Sequence, residues 1–192
     1  MPLSAPPRAV LDACVLYPAP LRDLFMNLAV VGAFQARWTA AIHSEWMRNV
    51  LKDRPDLSPA QIERTKVLMD TYAEGSLIEG YEHRIDTLTL PDPDDRHVLA
   101  AAIEAEAPII VTVNLKDFPA DVLAHYGIIR QRPDEFLCAL YDNDAMVVCE
   151  AVRNQRSRLK NPPKTVEEHF ATLIQNGLTG FVVCLEPHAV HI

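Results

Sequence analysis

The sequence predicts an α/β fold: a sandwich built on a mostly parallel central sheet, followed by a helical C-terminal extension. Three observations carry this expectation. Short apolar runs that read as strands alternate with longer helical stretches as far as Asp142. The first run, "RAVLDACVLY", is apolar on both sides, as a strand covered on both faces must be. After Asp142 the alternation stops and only helical patterning remains. The expected division is a sheet-containing domain over 1–142 and a helical extension over 143–192.

Each element has a local reason. Pro18 and Pro20 open a helix that runs to about Gly32, and a short strand around "RWT" leads into a helix from Ala41 to Lys52. In "SPAQIERTKVLMDTYAEG", Ser58 is placed to cap a helix, Pro59 sits in its first turn and Gly75 ends it. A polar connection and a strand are expected in "IEGYEHRIDTL". Next come a helix from Asp92 to Glu106, a strand from Ile109 to Asn114 and a short helix around "PADVLAHYG". An edge strand near "GIIR" and a helix "PDEFLCALYD" complete the domain. The extension reads as two helices broken at Pro162 and Pro163, the second ended by Gly177. Phe170, Leu173 and Ile174 are expected to pack on the core, and "CLEPHAVHI" to be a loose tail.

Composition limits the function. A net charge of −8 argues against a protein that coats nucleic acid with a broad basic groove, yet suits an enzyme that gathers carboxylates around divalent cations. The cysteines Cys14, Cys138, Cys149 and Cys184 lack CxxC spacing and read as reduced, buried thiols. The opening "MPLSAPPRAV" has neither the basic start nor the apolar stretch of a signal peptide, and no run is long and apolar enough for a membrane span. A cytoplasmic protein without a membrane partner is expected.

The informative feature is a crowding of acids. In "LPDPDDRHVLAAAI", Pro93 suits a first helical position, which makes Asp92 the cap and puts Asp94 and Asp95 in the first turn. Acids there gain roughly 0.3–1 kcal/mol each from the helix dipole, which is account enough for Asp92 and Asp94. It does not account for Asp95, which at 100° per residue shares a face with Val98, Leu99 and Ala102. An inward carboxylate needs a partner. Asp12 raises the same difficulty, as the one acid in an apolar strand, near its carboxyl end, where parallel sheets bind ligands. Glu45 borders the apolar side of its helix, and Asp117 follows the strand that ends in Thr112 and Asn114. Read singly, Glu45 is a solvated helix residue and Asp117 a turn acid. Taken together, these acids read as a cradle of oxygen ligands, which suits Mg²⁺, with Mn²⁺ as the alternative. Such a site activates water and stabilises the leaving oxygen of a phosphodiester.

The segments "VLDACVLYP", "IHSEWMRNVL", "DPDDRHVLAAAI" and "VTVNLKDF", in that order from about Val10 to Phe136, resemble the PIN domain, especially the VapC-type ribonuclease toxins. The resemblance implies a three-layer sandwich, Mg²⁺-dependent endoribonuclease activity, a cognate antitoxin and a homodimer. It matches the catalytic acids to Asp12, Glu45, Asp95 and Asp117. The metal ligands it implies are Asp12, Glu45 and Asp95, with Asn114 or Asp117 supplying the fourth position. The C-terminal helices are similar to the extension of one longer subgroup.

The stretch "RNQRSRLKNPPK" holds five Lys or Arg and no acid. Its plainer reading is a solvated helix face. It is also the best candidate for contacting RNA phosphates or an acidic antitoxin, through Arg153, Arg156, Arg158 and Lys160, with Arg48 nearer the acids. Two other functions compete. A magnesium phosphatase with a nucleophilic aspartate needs a second acid two residues on, where this chain has Cys14. A catalytically inactive PIN-like module that binds RNA or acts as a scaffold has no need to keep Asp12, Glu45 and Asp95.

Overall fold

Strand β1 (Arg8–Leu11) is buried at Ala9, Val10 and Leu11 and pairs in parallel on both sides. The computed structural model describes residues 5–192; the first four residues of the expected N-terminal domain lie outside the described residues. After β1 come α1 (Ala13–Leu16), α2 (Ala19–Val30), β2 (Gln35–Arg37), α3 (Ala40–Asp53), α4 (Pro59–Tyr72) and α5 (Glu82–Ile85). A 3-10 turn, Pro93–Asp95, runs directly into α6 (Arg96–Glu104), followed by β3 (Ile109–Val111). A second 3-10 turn, Leu115–Asp117, precedes α7 (Ala120–Ala124), β4 (Ile129–Gln131) and α8 (Pro133–Asn143). Last are α9 (Ala145–Arg158), α10 (Val166–Gln175), α11 (Thr179–Leu185) and a 3-10 segment, Glu186–His191.

The sheet has the order β2-β1-β3-β4, and all three pairings are parallel. This is the α/β architecture the strand–helix alternation predicts. From β1 the chain moves outward to β2 on one side and later returns to β3 on the other. That reversal opens a crevice at the carboxyl ends of β1 and β3. Asp12 follows the last residue of β1 and Thr112 the last residue of β3, so the fold delivers both to this crevice.

Local signals act where the sequence places them. Thr39 caps α3 by accepting from Ile42 N at 3.1 Å. Ser58 and Gln61 form a capping box on α4. Gly177, at φ 82°, takes the left-handed conformation that ends α10.

Five expectations are corrected. No strand forms in "IEGYEHRIDTL": Leu77 makes an isolated bridge to Trp38, and α5 follows. The buried positions there, Ile78, Tyr81 and Leu88, have no period of two, so no strand face exists to bury. The helix from Asp92 begins as a 3-10 turn, and β3 stops at Val111 rather than Asn114. Ile174 is exposed, while Phe170 and Leu173 are buried. The tail is not loose: Ile192 is 2% exposed, and its carbonyl accepts from Arg156 Nε at 2.9 Å.

The C-terminal helices share the core of the sheet domain. α9 lies along α2, where Gln155 Nε2 donates to the Pro20 carbonyl at 2.9 Å. Phe136 of α8 stacks on Phe25 and meets Phe34 edge-on, with centroids 6.0 and 5.2 Å apart. No helix among the described residues is long and apolar enough to cross a membrane.

Candidate metal centre

The crevice is built from the end of β1 outward. Asp12 N donates to Val111 O at 3.1 Å, extending the β1–β3 ladder by one bond and fixing the backbone from which the carboxylate projects. That carboxylate is almost fully buried. Its Oδ2 accepts from Thr112 Oγ1 at 2.7 Å and from Cys14 Sγ at 3.0 Å. Burial first, and the Asp12 charge second, push the Cys14 thiol up to about 12, so it remains a protonated donor at neutral pH. Thr112 Oγ1 also accepts from Asn114 N at 3.0 Å, tying the first acid to the turn that carries the last.

Two 3-10 turns face this point. In a 3-10 turn, side chains at i and i+3 eclipse. Asp92 and Asp95 stand in that relation across the first turn, and Asn114 and Asp117 across the second, each pair closed by a backbone bond of 3.2–3.3 Å. As a result Asp92, Asp95 and Asp117 present oxygens that all lie within 4.8 Å of one another. Asp92 keeps its cap as well, accepting from Asp94 N at 2.9 Å. The second turn is braced by Arg130, whose Nη1 donates to the Phe118 carbonyl at 2.6 Å and also to that of Leu115.

Asp95 records the crowding. Burial first, then the charges of Asp12, Asp92, Asp117 and Glu45, raise its carboxyl to about 7. Four acids from four segments therefore act on one carboxyl group. Glu45 reaches the site from α3, where it is half-buried and 3.8 Å from His97 Nε2. The buried His43 anchors α3 against α4. Its Nδ1 accepts from Trp46 Nε1 at 2.9 Å, which leaves Nε2–H to donate to Asp70 at 3.0 Å.

The structure thus brings Asp12, Glu45, Asp95 and Asp117 to one place. Asp92, Asp95 and Asp117 form the tight set, and Asp12 and Glu45 act on Asp95 from beside it. Asn114 stands in the second turn with its amide donated to Asp117. Arg48 is exposed one turn beyond Glu45. Of the basic stretch, Arg153, Arg158 and Lys160 are exposed. Arg156 is half-buried, and its Nε and Nη1 donate to the carbonyls of Ile192 and Lys164, both at 2.9 Å.

Sequence reasoning missed Asp92 as part of the cluster, and with it the supporting parts of Cys14, His97 and Arg130. The spacing Asp–Pro–x–Asp was the available signal for Asp92, since a 3-10 turn after a proline eclipses its first and fourth side chains. Cys14 and Arg130 had no such signal, because Thr112, which Cys14 also meets, lies 98 positions away and the carbonyls that Arg130 holds lie 15 and 12 positions away.

A family model described as a PIN domain matches residues 8–116, more than half of the chain. The chain belongs to the PIN domain family. Behind the PIN domain, a model of the VapC50 C-terminal domain matches residues 133–187, so the resemblance to VapC-type toxins with a C-terminal extension holds for both parts. Among curated proteins, "Putative ribonuclease VapC50" of Mycobacterium tuberculosis (strain ATCC 25618 / H37Rv) is 58% identical over 43 residues. That segment is 22% of this chain and 25% of the relative, so the match spans about a quarter of the curated protein's length. No solved structure matches the chain.

Proposed function

We propose that this PIN domain protein is a Mg²⁺-dependent endoribonuclease, with Mn²⁺ as a substitute, and the toxin of a toxin–antitoxin pair acting in the cytoplasm. The observation that carries this reading is the set of Asp92, Asp95 and Asp117 oxygens within 4.8 Å of one another, at the carboxyl edge of a PIN sheet. Like charges so placed destabilise the folded chain unless a cation sits among them, and an all-oxygen donor set suits Mg²⁺. Bound there, the ion supplies a water of lowered pKa and neutralises charge on the leaving oxygen of a phosphodiester.

The chain's own residues have distinct parts in this reading. Asp92, Asp95 and Asp117 hold the ion, with Asp12 beside them as a further ligand. Glu45 completes the ring from α3 and is the carboxylate placed to orient the attacking water. Asn114 positions Asp117 through its amide nitrogen, with its Oδ1 left as a candidate fourth oxygen ligand. Thr112 and Cys14 fix the Asp12 oxygen. Arg48, exposed beyond Glu45, meets an RNA phosphate.

We keep the division at residue 142, with α8 as the surface on which the 143–192 extension docks. The partner reading has its own support. Between α2 and α4 runs a groove of about 530 Å³, walled by Met26, Val30, Leu68, Met69 and Tyr72, with Arg22 and Arg158 among its lining residues. An amphipathic antitoxin segment suits these apolar walls, with Asp23 beside the two arginines in the lining.

The test is cleavage of RNA by the purified protein. Cleavage is expected with Mg²⁺ or Mn²⁺, is lost with a chelator, and is absent in Asp12→Asn. Undiminished cleavage in excess chelator, or an Asp12→Asn protein as active as wild type, would overturn the reading.

A further inference from the structure

The C-terminal layer carries a feature with no part in the metal centre. Cys138 of α8 and Cys184 of α11 are both half-buried, and their sulfurs lie 3.8 Å apart, in contact. The contact is the middle rank of a ladder. One turn earlier on both helices, Asp134 accepts from Gly180 N at 3.0 Å and from Phe181 N at 2.8 Å. One turn later, the rings of Tyr141 and His188 are 5.9 Å apart. The spacings 134–138–141 and 180–184–188 show the two segments running side by side in the same direction. They also approach closely, since a Cβ on Gly180 would stand 2.8 Å from the Asp134 carboxylate. The ranks on either side therefore hold the two sulfurs face to face.

We propose that Cys138 and Cys184 are a modification site, at which a peroxide converts the two thiols into a reversible disulfide that fastens α11 onto α8. A disulfide needs the sulfurs to approach to about 2.05 Å, a movement of under about 2 Å that side-chain rotation can supply while the backbones stay in place. Burial first, and its neighbour's thiol second, push Cys138 up to about 12. One of the two sulfurs attacks one oxygen of hydrogen peroxide, the O–O bond breaks, and a sulfenic acid and one water result. The other sulfur then displaces the hydroxyl of that sulfenic acid as a second water, forming the S–S bond. Two thiols lose two electrons and two protons, and one peroxide becomes two waters. A dithiol reverses the reaction by exchange.

The other cysteines are not equivalent. Cys14 is occupied at Asp12, and Cys149 is buried in α9. The link would close a loop that contains α9 and α10, joining the end of the chain to the helix whose Phe136, Leu137 and Leu140 fill the core.

The experiment uses the full chain, treated with hydrogen peroxide and then alkylated. Intact mass is expected to fall by two hydrogens, and peptide mapping without reductant to recover one cross-link, Cys138 to Cys184. The thermal midpoint is expected to rise by about 5 °C or more and to return with dithiothreitol. Cys138→Ser and Cys184→Ser should each abolish both the mass change and the shift. Stable oxygen adducts on either residue in place of the link overturn the proposal, as do cross-links through Cys14, Cys149 or a second chain. A linked protein whose midpoint is unchanged or lowered overturns the fastening.

Discussion

The two 3-10 turns that meet at the crevice share one geometry and differ in charge. Both place an Asx residue at the cap and an aspartate three residues later, so that the two side chains eclipse. In the first turn both positions are acids, Asp92 and Asp95, and the cap is exposed. In the second, the cap is Asn114, whose amide donates to Asp117, and Arg130 holds two of the surrounding carbonyls. One turn thus gives its carboxylate a donor from its own cap and is braced from within the protein. The other is left with unbalanced charge, and its Asp95 is raised to about 7. An identical backbone device can give a carboxylate a hydrogen-bond donor or set it beside another acid, and the residue at the cap decides which.

The largest effect is expected from Asp95→Asn, which removes the centre of the unbalanced turn. RNA cleavage should fall by about 100-fold or more. The metal-free protein should become more stable, because four neighbouring acids lose the charge they repel. A folded variant as active as wild type would break the comparison.

Asp92→Asn converts the first turn into the likeness of the second. Asparagine keeps the cap, since it caps about as well as aspartate. Affinity for Mg²⁺ by calorimetry should nonetheless fall by about 10-fold. Unchanged affinity would return Asp92 to a capping role alone.

Asn114→Asp makes the opposite exchange. It replaces a donor to Asp117 by a like charge and should cost the metal-free protein about 2 kcal/mol. Added Mg²⁺ should recover most of this loss in thermal unfolding. Destabilisation that the ion cannot reverse would show that the second turn does not face it.

The metal-free protein should also respond to pH. Asp95 binds its proton more tightly when folded, at about 7, than its ordinary value of 3.8. Its contribution is therefore fully present below about 4 and is lost as pH rises through about 7. Thermal midpoints of chelator-treated protein should fall between pH 5.5 and 8, less so in Asp95→Asn. An equal fall in both would place the titrating group elsewhere.

The smallest effect belongs to Asp94→Ala. Asp94 is exposed and outside the cluster, so the change should cost under about 1 kcal/mol of stability and leave cleavage intact.

By itself the sequence determined the alternation of the four strands with helices, though not the absence of a strand before Leu88 or the third helix of the extension, together with the place of β1 in a parallel sheet, the capping of α4 by Ser58 and the end of α10 at Gly177. It also singled out Asp12 and Asp95 as inward acids. These are matters of local period and of backbone conformations that particular residues favour. The inward turn of Asp95 was legible, although the α-helical spacing used to infer it is not the spacing present. Only the tertiary structure decided that Asp92 joins the cluster, that Asn114 turns its amide onto Asp117, and that Arg156 holds the chain's end. It alone brought Thr112 to Asp12 across 100 positions and set Cys138 against Cys184. In a turn of three residues the direction of a side chain is not dictated by period. It is set by what packs on either side, and those partners come from strands and helices far away in the chain.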